Sequence, residues 1–312
     1  MNGEGLKRRL LKYNTPRRII QLFSFIFFSA IICNLGTLPL LLPVLWTWAL
    51  KNNTVGDAFT AIQLMFSGWN ATNVIFPWLA LASFLIIGVL IGKSLCGWIC
   101  PFGFIQDLLG FIKRKQTDLS LRNHDTMIYV KYFILAITLF ISATFAVSKV
   151  VGSSGSFQRG LGIFAVSPFT ALSPSETLFS TLPGMVKDFR FAAAEKGWDA
   201  IGGISALPAL FWVQFAIMIA VLVFAAYVPR SWCRYFCPHG AIMAIMNRFS
   251  FIGLHREPFK CEKGGCRECV QVCPTRVPIL DLPWEKFSDP ECIYCMKCVD
   301  ACEHKAIKLT YP

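Results

Sequence analysis

Two cysteine runs near the C-terminus constrain this chain more than any other feature: Cys261-x4-Cys266-x2-Cys269-x3-Cys273-Pro274 and Cys292-x2-Cys295-x2-Cys298-x3-Cys302. A four-iron cube takes one thiolate per iron. A tight loop with a cysteine every third residue supplies three of them, and a distant cysteine supplies the fourth. In two-cluster ferredoxins the fourth ligand comes from the other run. The spacing therefore assigns Cys261, Cys266, Cys269 and Cys302 to one [4Fe–4S] cluster, and Cys292, Cys295, Cys298 and Cys273 to a second. Paired C-x2-C units also build zinc sites, but zinc has no use for a third cysteine at the same short spacing, repeated twice. A disulfide framework fits less well still, because no cleavable secretory signal is visible and the module reads as cytoplasmic. The first run departs from the usual spacing by opening with four intervening residues, Gly264 and Gly265 among them. The second departs by ending Cys302-Glu303 without a proline.

The rest of the chain must live in lipid. Of 312 residues, 55% are hydrophobic and only 15% charged, which is the balance of an integral membrane protein with a modest extramembrane part. A net charge of +12 could point to nucleic acid, but the basic residues gather beside apolar stretches, as the positive-inside rule requires, with no basic–aromatic interleaving. No nucleic-acid partner is expected. Twelve of the thirteen cysteines fall in clustered motifs, which suits metal chemistry in a reducing compartment.

Four apolar stretches read as transmembrane helices: Ile19–Leu35, Val74–Ile91, Met127–Val147 and Ala209–Val228. Trp46 and Trp48 fit an interfacial belt, and Lys131 stands close enough to a span end to snorkel. Basic groups at 7–18, 113–122 and 230–234 give one orientation, a multi-pass protein of the cytoplasmic (inner) membrane with both termini inside. Cys33 on the first span reads as a small apolar filler, Gln214 as a hydrogen bond to a neighbouring helix, and the Asn70 sequon carries no weight.

A repeat divides the membrane part into two related halves. Ser94-Leu-Cys96-Gly-Trp-Ile-Cys100-Pro101-Phe-Gly103 matches Ser231-Trp-Cys233-Arg-Tyr-Phe-Cys237-Pro238-His-Gly240 at one offset. Such repeats fold with their motifs facing each other. Cysteines four apart point the same way on a helical turn, and each proline forces the preceding cysteine out of the helix and opens the next one. Four thiols facing one point suit a third iron–sulfur centre at Cys96, Cys100, Cys233 and Cys237. They also suit a redox-active dithiol pair, a soft metal, or plain buried cysteines.

The expected architecture is thus an all-α bundle of four transmembrane helices in two related halves, with a small C-terminal α+β two-cluster ferredoxin-like domain. Its parts are a basic cytoplasmic N-terminus at 1–18, a membrane domain at 19–255 with C-x3-C-P repeats at 96–101 and 233–238, and the cluster domain at 256–312. None of His124, His239, His255 and His304 lies inside an expected span, so axial haem ligation is not expected. His239 reads as a membrane-surface histidine, with ligation of a centre or proton relay from a quinol as the alternative; His304 reads as an exposed neighbour of the last cysteine, with tuning of its cluster as the alternative; and Asp107 reads as a solvated helix charge. Lys263, Arg267 and Lys297 are candidates for steering an acidic partner or offsetting cluster charge.

Two C-x3-C-P motifs after transmembrane helices, followed by a two-cluster module, resemble the NapH/MauN group of membrane polyferredoxins. The core is similar to that of NosR- and CcoG-type proteins. The residues that carry the resemblance are Cys96, Cys100, Pro101, Cys233, Cys237, Pro238 and the eight tail cysteines. The resemblance implies an electron-transfer subunit between the quinone/quinol pool and a partner redox complex, with quinone as a further cofactor. It also implies a possible role within a quinol dehydrogenase. The outer loops are too short for a NosR-type flavin domain, so covalent flavin is not expected, and the chain stops where CcoG-type proteins carry another domain. Alternatives are a CcoG-like copper-reducing assembly factor, a membrane redox sensor, and a structural anchor.

Overall fold

Long helices form where apolar runs carry no internal proline or glycine. Residues 121–150 and 209–227 contain neither, and Pro208 and Pro229 bracket the second run at the positions where a helix opens and must stop. The computed structural model describes residues 13–32, 78–112, 121–166, 169, 172–182, 185–186, 209–262 and 265–311. Its main helices are α1 (Asn14–Ile32), α2 (Trp78–Ile91), α3 (Ser94–Trp98), α4 (Pro101–Ile112), α5 (Leu121–Val150), α6 (Ser154–Leu161), α7 (Ala209–Tyr227) and α8 (Pro238–Asn247).

Among the described residues two stretches, His124–Ser148 and Ala209–Tyr227, are helices long and apolar enough to cross a membrane. They correspond to the third and fourth expected spans, and the third starts early enough to take in His124, which the sequence put outside it. The first and second expected spans are helical over Asn14–Ile32 and Trp78–Ile91. Cys33, Trp46, Trp48, Asn70, the basic residues 113–115 and Lys263 lie outside the described residues.

The chain divides into two compact units. One comprises 29–83 and 136–224, where Phe145, Ala146, Ala165, Phe179 and Met218 are buried, as is Gln214. The other comprises 1–28, 84–135 and 225–312 and holds all twelve motif cysteines.

Within this second unit the tail folds as α+β. Strands β1 (Gly253–Arg256), β2 (Lys286–Phe287) and β3 (Ile307–Thr310) form an antiparallel sheet in the order β2-β1-β3, with Leu254 opposite both Phe287 and Leu309. One sheet face packs Leu254, Phe287 and Ile307 against Val277, Ile279, Tyr294 and Met296, with Cys269 and Cys298 in the same core. Arg256 is buried and donates to the carbonyls of Ile279 (3.2 Å), Leu280 (3.0 Å) and Leu282 (3.3 Å), so one guanidinium satisfies a loop that has no ladder of its own. Tyr294 and Met296 adopt φ of 46° and 59° within the second cysteine run. Left-handed backbone at non-glycine residues costs about 1–2 kcal/mol each. It is held here by burial and by the Tyr294 hydroxyl, which donates to Ile252 O at 2.9 Å.

A buried ion triad ties this tail to the helices of the same unit. Lys93 Nζ lies 2.9 Å from Glu291 Oε2, and Lys131 binds the other carboxylate oxygen. Lys131 therefore does not snorkel; it is fully buried. Burial opposes ionisation of Glu291, but Lys93 and then Lys131 outweigh it and hold the carboxyl at about 2. The stabilisation is complete above the usual glutamate range and is lost as pH falls from about 4.5 toward 2. Glu291→Gln strands two buried cations and is expected to cost about 3 kcal/mol at pH 7. Thermal melts of both proteins check this, and the gap between them should close below about pH 4.5.

Candidate metal centres

The paired motifs owe their shape to their prolines. Cys237 sits at φ −77°, ψ 114°, outside helical space, and Pro238 opens α8. Its thiol accepts the backbone N–H of Gly240 at 3.4 Å, and Cys100 accepts that of Gly103 at 3.4 Å. Each of these sulfurs therefore caps the N-terminus of a ten- or twelve-residue helix, where the dipole favours thiolate. In both copies the preceding turn is widened: Cys100 N bonds Leu95 O and Cys237 N bonds Trp232 O, five residues back, at 3.0 Å each. Insertions of this kind recur at functional sites. They replace the regular helical turn on which cysteines four apart would point the same way. Gly103 and Gly240 match as well, since a Cβ on either would come to 3.1 Å from Cys96 O or 3.0 Å from Cys233 O.

The two copies converge. Burial first, and then Cys233, pushes the Cys96 thiol up to about 11 and the Cys237 thiol up to about 12; Cys100 feels Cys233, Cys96 and Cys237. Gln106, on α4 of the first copy, reaches into the second: its Nε2 donates to Cys233 Sγ at 3.2 Å and its Oε1 accepts Trp232 N–H at 3.1 Å. Buried thiols held this way bind metal only by releasing protons, a cost that metal–thiolate bonding offsets.

Asp107 is not a solvated helix charge. Its side chain is only 6% exposed and receives Arg230 in a two-pronged contact (Nε–Oδ1 2.9 Å, NH2–Oδ2 2.7 Å), with Arg17 on the same carboxylate and Arg18 at 3.2 Å. Burial opposes its ionisation, but Arg230, then Arg17 and Arg18, hold the carboxyl far below the usual range. The guanidinium groups then clamp the first motif. Gly97 O accepts Arg17 Nε at 3.0 Å and Gln21 Nε2 at 2.8 Å, and Cys96 O accepts Arg230. Arg230 and Arg234, which the sequence offers as topological charges, are buried. Lys93 and Arg230 each precede the first cysteine of their copy by three residues, so the repeat extends to a basic residue that the matched Ser, Cys, Pro and Gly positions do not include.

Cys269, pushed up to about 11 by burial, feels Cys261, Cys266 and Cys302 next. Cys273, Cys292, Cys295 and Cys298 all line one small cavity, together with Leu254, Ile293 and Tyr294. Backbone N–H groups point at the tail sulfurs, among them Val277 at Cys273 (3.4 Å) and Ala306 at Cys302 (3.2 Å). Among the described residues no three His, Cys, Asp or Glu side chains close on one ion point. A cube asks for something else, since it puts each thiolate on its own iron. The donor set, the cavity and the N–H···S bonds fit such a group.

The first motif and the second cysteine run touch. A Cβ on Gly97 would overlap Ile293 O, and Trp98 Nε1 donates to Tyr294 O at 2.8 Å. Ile293 and Tyr294 are the residues between Cys292 and Cys295. Arg234, between Cys233 and Cys237, donates to Pro274 O at 3.2 Å, next to Cys273.

The remaining candidates are dispersed. His124 is buried, 2.9 Å from Tyr235 Oη and 3.0 Å from Arg234. His304 is exposed, 3.9 Å from Glu262, and His255 lies 4.0 Å from Glu257. Arg267 is exposed and Lys297 only partly so.

A family described as a 4Fe-4S binding domain matches the chain twice, at residues 73–117 and 210–256. Each match contains one C-x3-C-P motif, and the two are offset as the cysteines are. Among curated proteins, the chain is 26% identical to the ferredoxin-type protein NapH of Haemophilus influenzae over 88% of this chain and 77% of NapH. It is 24% identical to the methylamine utilization ferredoxin-type protein MauN of Methylobacillus flagellatus over 83% of this chain and 74% of MauN. It is 26% identical to YccM of Escherichia coli, named for electron transport, over 72% of this chain, and it spans about half (52%) of that protein. No solved structure matches.

Proposed function

We propose that this chain, a NapH/MauN-type ferredoxin-like membrane protein, relays single electrons between the quinone/quinol pool and a partner redox enzyme. The observation that carries this is the approach of Gly97 and Trp98 to Ile293 and Tyr294, which joins the paired-motif cysteines to the second tail run. On this reading Cys96, Cys100, Cys233 and Cys237 hold the membrane-side centre. Cys273, Cys292, Cys295 and Cys298 hold the middle one, and Cys261, Cys266, Cys269 and Cys302 the outer one. Clusters of this kind, when bound, take up and release one electron at a time.

The chain's own residues serve that task. Helix N-termini at Cys100 and Cys237 and the N–H groups of Val277 and Ala306 favour thiolate at the ligating sulfurs. The double match to a 4Fe-4S binding family over the motifs supports the membrane-side centre. A four-span bundle at 19–255, both termini cytoplasmic and the cluster domain at 256–312 complete the reading, with lipid, quinol and further redox subunits as partners.

The test is iron and sulfide analysis with EPR on the full chain in detergent, with and without a quinol. About twelve irons per chain are expected, falling to about eight when Cys96, Cys100, Cys233 and Cys237 are all serine. Quinol is expected to reduce the wild type and not that variant. Protein without iron, or iron that quinol never reduces, would sink the proposal.

A further inference from the structure

Five of the largest fully buried side chains are cations: Arg17, Arg230, Arg234, Lys93 and Lys131. Arg17 and Arg230 share the one carboxylate of Asp107, and Lys93 and Lys131 share that of Glu291. Arg234 donates to the carbonyls of Pro229 (3.4 Å) and Pro274 (3.2 Å) and to His124, and among the described residues it forms no ion pair with a carboxylate. With Arg256, six buried cations thus meet three carboxylates, those of Asp107, Glu291 and Asp300. A buried charge without counter-charge costs several kcal/mol unless carbonyls satisfy it, as they do for Arg256, so the excess favours an anion bound among these groups.

Two of these cations, Lys93 and Arg230, lie beside the paired-motif cysteines, while Arg17 and Arg234 lie nearer Cys295 and Cys273 of the second tail run. Lys93 and Arg230 each stand three residues before the first cysteine of a copy, and Arg234 directly follows Cys233. Arg230 donates to Cys96 O and lies within electrostatic reach of Cys233 and Cys100. It also holds φ at 52°, a conformation glycine would adopt more cheaply, so its side chain is what the position keeps. Four neutral thiols, or two disulfides, would leave the cations unbalanced. Four thiolates around an iron–sulfur core carry net negative charge, and each reduction adds one more.

We infer that Lys93 and Arg230 are fixed counter-charge of an anionic four-thiolate centre at Cys96, Cys100, Cys233 and Cys237, and that Arg230 and Asp107 set its reduction potential in opposite directions. This rests on the membrane-side centre proposed above. Neither residue ligates the centre; both act on it through the field they impose.

The experiment is an EPR-monitored redox titration of the purified full chain as wild type, Arg230→Gln, Arg230→Lys and Asp107→Asn, with iron counted in each. Removing the Arg230 charge disfavours the more negative, reduced form. Arg230→Gln should lower the reduction equilibrium about tenfold, which for a one-electron couple is about 59 mV downward. Arg230→Lys keeps the charge and should stay near the wild type. Asp107→Asn removes a negative charge and should move the potential upward. Mere loosening of the fold would move both neutralised variants the same way. Iron-replete variants whose potentials stay put, or shift in one direction together, overturn the inference while leaving the centre standing. A wild type with about eight irons removes the centre and the inference at once. If Arg230→Gln loses iron, the upward shift of Asp107→Asn still decides.

Discussion

Replacing Gly97 with valine is expected to abolish quinol-dependent reduction of the tail clusters while dithionite still reduces them. The reason is backbone against backbone. A Cβ at residue 97 would overlap Ile293 O, and neither side can give way cheaply. Gly97 O is held by Arg17 and Gln21, and Ile293 is buried beside the left-handed Tyr294. The two loops must part, and the Trp98–Tyr294 bond goes with them. Overpacking of this kind costs about 1–3 kcal/mol, enough to separate the loops without unfolding the chain. Freeze-quenched EPR after quinol, compared with dithionite, reads the result. A Gly97→Val protein that fills its tail clusters from quinol at the wild-type rate would remove the proposed route.

Cys298→Ala is expected to remove about four irons per chain and to unfold the tail, which limited proteolysis would show as rapid loss of residues beyond 253. Cys298 lies in the tail's core with Leu254, Tyr294 and Ile307, and it lines the same cavity as Cys273, Cys292 and Cys295. A module with so few buried apolar residues relies on its metal for much of its folding energy. Cys33→Ala serves as the comparison and should keep its full iron. Full iron in Cys298→Ala would refute the ligand grouping.

Much of this could be read from local chemistry. The tail groups appear in the spacing, because a cube needs three close thiolates and one distant one. The breaks at Cys100 and Cys237 appear in the prolines, since Pro101 and Pro238 restrict the residue before them whatever the surroundings. The repeat appears in the offset of Cys96 and Cys233, and the double family match follows it. The charges depart from their sequence-based expectation for a physical reason. Arg230, Arg234 and Lys131 stand at the ends of apolar stretches, where a basic residue normally faces headgroups and water. Nothing local distinguishes that from burial.

Sequence alone determined which atoms are available: twelve thiols in motifs, two proline-broken turns, and apolar helices to carry them. Local sterics and ligand count act within a few residues of each other, so they can be read along the chain. Tertiary structure alone decided what those atoms face. Asp107 meets Arg17 and Arg230, Glu291 meets Lys93 and Lys131, and Gly97 meets Ile293 only because chain segments far apart in sequence fold together. Whether a charge ends as a solvated surface group or as buried counter-charge depends on the dielectric and the partners around it, and those exist only once the chain has closed.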